Sequence, residues 1–142
     1  MRAAHRLHRS RRRGLSIIEA ALVIPLFILL LFGLLEYGWA FWKSQQIGNA
    51  ARHGARIGIV DGATAAEVQA GVDQIMTDSG LAGSGYVTTL APGDPGTLGF
   101  GDLFTVTVSV DYSNIILIGM PLLPVPNQLS RATSMAREGP HF

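Results

Sequence analysis

Apolar residues run almost unbroken from Leu15 to Leu35, with Ser16 and Glu19 the only interruptions. From Ala20 to Leu35 no side chain is polar or charged. About 20 residues of helix cross the roughly 30 Å hydrocarbon core of a bilayer, so this run predicts a transmembrane helix. Pro25 lies inside it; membrane helices accept proline where neighbours or local adjustment satisfy the freed carbonyl. Tyr37, Trp39, Trp42 and Lys43 follow. Aromatic and basic residues at a helix end predict a membrane–water interface, with Glu36 at the headgroups or paired with a neighbouring chain. The pattern then continues through SQQIGNAARHGARIGIV, residues 44–60. There Ile47, Ala51, Gly54/Ala55 and Gly58 share one side at helical spacing. The pairs Ala50/Gly54, Ala51/Ala55 and Gly54/Gly58 are small residues four apart, which allow close approach of another element. Arg52, His53 and Arg56 fall on other faces and are expected at the surface.

The period changes after residue 60. Thr64-x-x-Glu67 has the form of a capping box, and Val68, Val72 and Ile75/Met76 form one apolar face behind it. Ser79-Gly80 ends this second helix, predicted over 64–78. From Gly80 to Gly101, both included, there are seven glycines and two prolines. That stretch reads as loop with a short strand at Tyr86–Leu90, and it lacks the strand-to-helix setting of a phosphate cradle. Phe104, Val106, Val108, Val110 and Tyr112 alternate with Thr105, Thr107, Ser109 and Asp111, the clearest strand in the chain. IILIGMPLLPVP, 115–126, is apolar but too short to span a bilayer. It is expected to be buried under the domain, with an exposed loop meeting the membrane or another subunit as the alternative. Residues 127–137 are predicted to return as a last strand.

The fold class that follows is α+β: a long N-terminal transmembrane helix and a small outer domain with one helix and a short antiparallel sheet. The expected division is a basic leader, 1–14, a transmembrane and extended helix, 15–60, and an extracytoplasmic domain, 61–142. About 80 residues is near the size at which a single core is marginal.

Charge changes the picture at the N-terminus. Arg2, Arg6, Arg9, Arg11, Arg12 and Arg13 precede Gly14 with no acid among them, whereas from Leu15 onward five basic side chains face ten acidic ones. Positive residues favour the cytoplasmic side, so the N-terminus is expected inside and the C-terminal domain outside, in a single-pass arrangement at the cell (inner) membrane. Beside a membrane helix a basic run is topogenic, and no nucleic-acid partner is expected. The 142 residues contain no cysteine, which excludes disulfides and cysteine chemistry. Histidines at 5, 8, 53 and 141 are scattered, the serines lack a nucleophile elbow, and the acids form no recognisable ligand set. Neither enzymatic activity nor a metal or other cofactor is expected.

Glu19 is the unexplained residue. The apolar core is too long for an ordinary secretory signal, and Gly38-Trp39-Ala40 is a poor small-x-small site. Two readings remain: an uncleaved anchor, or cleavage at the front of the apolar run. An acid near the centre of a membrane helix costs about 2.5–3.5 kcal/mol, and less near the interface. If Gly14 ended a removed leader, Leu15 would carry a free α-amine and Glu19 would be the fifth residue, about one turn along. Its carboxylate would then meet that amine, or a neighbour's, and the helix dipole would favour it there. In an uncleaved anchor Glu19 snorkels to the headgroups.

The basic leader, the Gly14 junction, Glu19 and the long apolar helix resemble the class III signal of type IV pilin-like proteins. The E-A-A-L-V-I-P core, the F-G-L-L-E-Y-G step and the N-A-A-R-H-G-A-R-I-G block narrow this. Together they resemble the TadE-like family, the minor, pilin-like proteins of tight-adherence (Tad/Flp) pilus systems. The likeness covers residues 12–60, and ATSMAREG near the end is similar to the family's last strand. It implies processing at Gly14–Leu15 by a membrane prepilin peptidase and an assembly role for Glu19. It also implies other pilin-like subunits and the Tad secretion machinery as partners, with the chain either incorporated into the pilus or priming its assembly. The major Flp pilins carry Glu-Tyr where this chain has Glu19-Ala20, which points to a minor component. The competing expectation is an uncleaved single-pass protein whose outer domain binds secretion machinery or a surface ligand.

Overall fold

The computed structural model describes residues 8–119, 124–137 and 139. Residues 1–7 of the basic leader, residues 120–123 of the apolar stretch and Glu138 lie outside the described residues. The element order is α1 (His8–Gly58), α2 (Ala65–Asp78), β1 (Val87–Ala91), β2 (Leu103–Asp111) and β3 (Gln128–Ala136), with 3₁₀ turns at Pro95–Thr97 and Tyr112–Asn114. The expected α+β class is the observed one. The chain divides into two compact units, Met1–Glu36 and Tyr37–Phe142.

In the first unit α1 carries the apolar run, and Pro25 sits within the helix. Its large side chains point outward on every side: Ile17, Leu22, Phe27, Leu30 and Leu34 are all exposed. A helix apolar all round is stable only against lipid or other apolar helices. Among the described residues it is one helix long and apolar enough to cross a membrane.

The second unit is built from the remainder of α1, α2 and the sheet. The strands form an antiparallel meander in the order β1-β2-β3. Leu90 stands opposite Val106, and Phe104 and Val110 stand opposite Met135 and Leu129. The alternation in β2 sends Phe104, Val106, Val108 and Val110 into the core and leaves Thr105, Thr107 and Ser109 on the opposite face. Against the inner face pack Ile47, Ala50, Ala51 and Ala55 from α1 and Val68, Val72 and Met76 from α2. The helical face read from the sequence is thus the buried one, while Arg52, His53 and Arg56 are exposed. Glycine sets the spacing. A Cβ on Gly54 would stand 2.7 Å from Val72 Cγ2, and one on Gly58 would stand 2.0 Å from Phe104 Cε1.

Helix α2 starts at the expected capping box. Thr64 Oγ1 accepts from the Glu67 amide at 3.3 Å, and Glu67 Oε2 accepts from the Thr64 amide at 2.9 Å. The bond from the Thr64 amide, then that from its hydroxyl, holds the Glu67 carboxyl below its ordinary pKa. A depressed carboxylate pKa gives stability that is present above the unfolded value and lost as pH falls through the folded one. Thr64→Ala is therefore expected to lower stability by about 1 kcal/mol at neutral pH. In urea melts of full-length protein in detergent, the gap to the parent should narrow below about pH 4, near the ordinary glutamate pKa. A gap independent of pH would mean that the Thr64 hydroxyl does not act through the Glu67 carboxylate; the Thr64 amide bond to Glu67 survives in the variant. At the other end of α2, Gly80 takes φ +67°, where glycine is unstrained.

Two ties fasten β3 to the rest of the domain. Arg131 Nε of β3 donates to Ser44 Oγ of α1 at 2.7 Å. Arg137, just past β3, donates to the Leu98 carbonyl and pairs with Asp61 in the α1–α2 connection. Between α2 and the sheet, Tyr86 donates to Asp73 Oδ1 at 2.6 Å. Burial, then that bond and the charge of Asp73, push the Tyr86 phenol up to about 12.

The expected burial of 115–126 holds only in part among the described residues, where Val125 packs half-buried against the core. Ile115 is buried, but Ile116 and Leu117 are exposed, and Pro124 and Pro126 are exposed as well. The segment is held by its backbone: Trp39 Nε1 donates to the Ile115 carbonyl at 2.7 Å, and the Tyr37 hydroxyl donates to that of Pro124. With the carbonyls turned to the helix, the side chains at 116 and 117 turn away from the core.

Candidate functional site

Gly14, Leu15 and Glu19 all lie on α1, so one helix positions the three residues singled out from the sequence. The helix runs through the Gly14–Leu15 bond without a break. Glu19 is exposed, about one turn beyond Leu15. The residues around it on α1 are apolar and exposed, with Ile17, Ile18, Leu22 and Val23 all outward. A carboxylate in such a surround is costly in lipid and seeks a cation. The chemistry on offer is therefore association through an apolar surface bearing one charge.

The second cluster is the ring of residues after the apolar run. Tyr37 and Trp42 are exposed, as the interface reading expects, but Glu36 and Lys43 are buried, at 2 % and 7 %. Lys43 Nζ lies 4.8 Å from the Trp39 ring centre and 5.0 Å from that of Trp42. The two rings are tilted, with centroids 5.1 Å apart, so the cation sits against two electron-rich faces. It also donates to the Ser79 carbonyl, at 3.5 Å, in the cap of α2. The sequence marked Trp39 and Lys43 as interfacial but missed this fixing role. The i,i+4 spacing of an aromatic and a cation on a helix was the signal available. The partners at Ser79 and Ile115 were not visible locally.

Trp39 and Lys43 open onto a cleft of about 260 Å³, whose other walls include Leu81, Ser84, Asn114 and Ile116. Its polar walls are largely engaged internally. Asn114 Nδ2 donates to the Ser84 carbonyl at 2.9 Å, and Ser84 Oγ donates to the Leu81 carbonyl at 2.7 Å. Among the described residues no three His, Asp or Glu side chains gather as a metal site.

In comparison with known proteins, the family model for TadE-like proteins matches residues 14–56. The match begins at the Gly14 junction and ends within α1, over the stretch whose motifs carried the resemblance. No curated protein and no solved structure matches the chain.

Proposed function

We propose that this chain, TadE-like over residues 14–56, is a minor pilin-like subunit that works in assembly of a Tad-type pilus. The observation that carries the reading is the coincidence of that match with an apolar helix exposed on all sides. The chain inserts with its N-terminus in the cytoplasm and its outer domain beyond the membrane. A membrane prepilin peptidase cuts after Gly14, and Leu15 becomes the N-terminal residue. Glu19 then sets register against an N-terminal amine, its own or a neighbour's. The partners are other pilin-like subunits and the Tad secretion machinery, in adhesion and secretion systems of that kind.

One observation favours the second reading, an uncleaved single-pass anchor whose outer domain binds secretion machinery or a surface ligand. The backbone at Gly14–Leu15 is helical, and cleavage requires that helix to open. Gly14 lowers the cost of opening by about 1 kcal/mol relative to alanine, which answers part of the objection.

The test is the intact mass and N-terminal sequence of the protein purified from native membranes, beside a Gly14→Ala variant. Cleavage gives a chain starting at Leu15 in the parent, with loss of that species in the variant. A chain that keeps its arginines in both would leave the anchor reading.

A further inference from the structure

The cluster after the apolar run has a shape that neither a bare anchor nor an assembly helix needs. Residues 115–119 and 124–126 are brought back more than seventy positions along the chain to the turn of α1 that carries Tyr37 and Trp39. That turn lies within four residues of Leu35, where the apolar run ends. The returning segment is fastened by its Ile115 and Pro124 carbonyls, and it presents Ile116 and Leu117, 39 % and 47 % exposed. Ile116 shares the cleft with Trp39 and Lys43, and Trp42 stands beside Trp39, 52 % exposed.

We propose that Trp42, Ile116 and Leu117 form a docking edge by which the outer domain inserts shallowly into the membrane leaflet from which α1 emerges. The inference rests on the membrane-helix reading of α1 and not on the pilus reading. Three observations select lipid as the occupant. The edge is fastened to Tyr37 and Trp39, two and four residues past Leu35 in the sequence. Its composition, a tryptophan with aliphatic side chains above a lysine, suits the boundary where indole rings and ammonium groups partition. The ammonium of Lys43 is held by the Trp39 and Trp42 rings, an arrangement that suits apolar side chains entering lipid with a charge kept at the headgroups. Exposed apolar side chains grouped in this way mark interaction surfaces.

The chain has no cysteine, so a single nitroxide label reports one site. Ile116→Cys, Leu117→Cys, Leu26→Cys within the apolar run and Thr89→Cys on the outer face of β1 are each labelled in full-length protein. Each is reconstituted into phosphatidylcholine vesicles, and near-UV circular dichroism checks the fold. The readout is the ratio of collisions with oxygen to collisions with a water-soluble nickel chelate. The proposal expects ratios at 116 and 117 well below that at 26, as shallow insertion requires, and severalfold above that at 89. Chelate-accessible labels at 116 and 117 with a lipid-exposed label at 26 overturn the docking edge and leave the membrane helix intact. Dipolar broadening at 116 or 117 with no lipid signature overturns it in favour of a second copy of the chain. Chelate access at 26 overturns both the edge and the membrane helix.

Discussion

Gly58→Ala, the addition of one methyl group, is expected to lower the melting temperature of the C-terminal domain by roughly 5–15 °C, a loss of about 1–3 kcal/mol in a domain of this size. A Cβ at this position would stand 2.0, 2.4 and 2.8 Å from Phe104 Cε1, Cδ1 and Cζ. The ring is fully buried on β2. It cannot step aside without disturbing the neighbouring inward residues, because core side chains already interdigitate at crystal-like density. Against this stands the better helix propensity of alanine, at most about 1 kcal/mol and less at the last residue of a helix. The clash wins. Gly71→Ala provides the contrast. Its closest neighbour is Ile57 Cδ1 at 2.2 Å, the far end of a flexible and only partly buried side chain. Rotation of Ile57 absorbs most of that conflict. Gly38→Ala meets nothing within 4 Å and should be neutral or slightly stabilising. Thermal melts of full-length protein in detergent, followed by near-UV circular dichroism, rank the three. Equal melting of Gly58→Ala and Gly38→Ala would mean that α1 and β2 do not meet as described.

Local periodicity made the elements on either side of this contact legible. The side of α1 carrying Ile47, Ala51, Gly54 and Gly58, the capping box at Thr64 and Glu67, and the strict alternation of β2 each follow from residues within a turn or two of one another. What escaped was pairing over distance. Nothing near Trp39 in sequence shows that its ring N–H goes to Ile115, 76 residues on. Nothing near Lys43 points to Ser79. The error at 115–126 has a different origin. An apolar run too short to cross a bilayer was assigned to the interior because soluble domains hide such surface. In this chain the apolar side chains of Ile116 and Leu117 are left outside, beside the part of α1 that leaves the apolar run. Glu19 is the reverse case. The sequence singled it out, and the structure places it exposed on α1.

On the proposed pilus reading, Glu19→Ala leaves insertion at the level of the parent and reduces recovery of the protein in pilus assemblies by roughly a hundredfold or more. Removing an acid from an apolar helix makes entry into lipid easier, by up to about 3 kcal/mol at the bilayer centre. Loss of assembly therefore cannot be assigned to failed insertion. The effect arises in the partner. If the Glu19 carboxylate meets the α-amine of a cleaved chain, its loss leaves that ammonium in lipid without a counter-charge. Breaking one side of a buried pair costs about 3–5 kcal/mol, and each 1.4 kcal/mol is tenfold in an equilibrium constant. Glu19→Gln keeps shape and polarity without the charge, and should fail nearly as fully. Glu19→Asp keeps the charge on a shorter stem and should recover part of the loss. The measurement is quantitative immunoblotting of membrane and sheared-pilus fractions from native cells, with N-terminal processing scored on the same samples. Normal assembly of correctly processed Glu19→Ala protein would sink the amine pairing. Failure of Glu19→Ala to be processed at all would move the role of the carboxylate from subunit register to recognition by the peptidase.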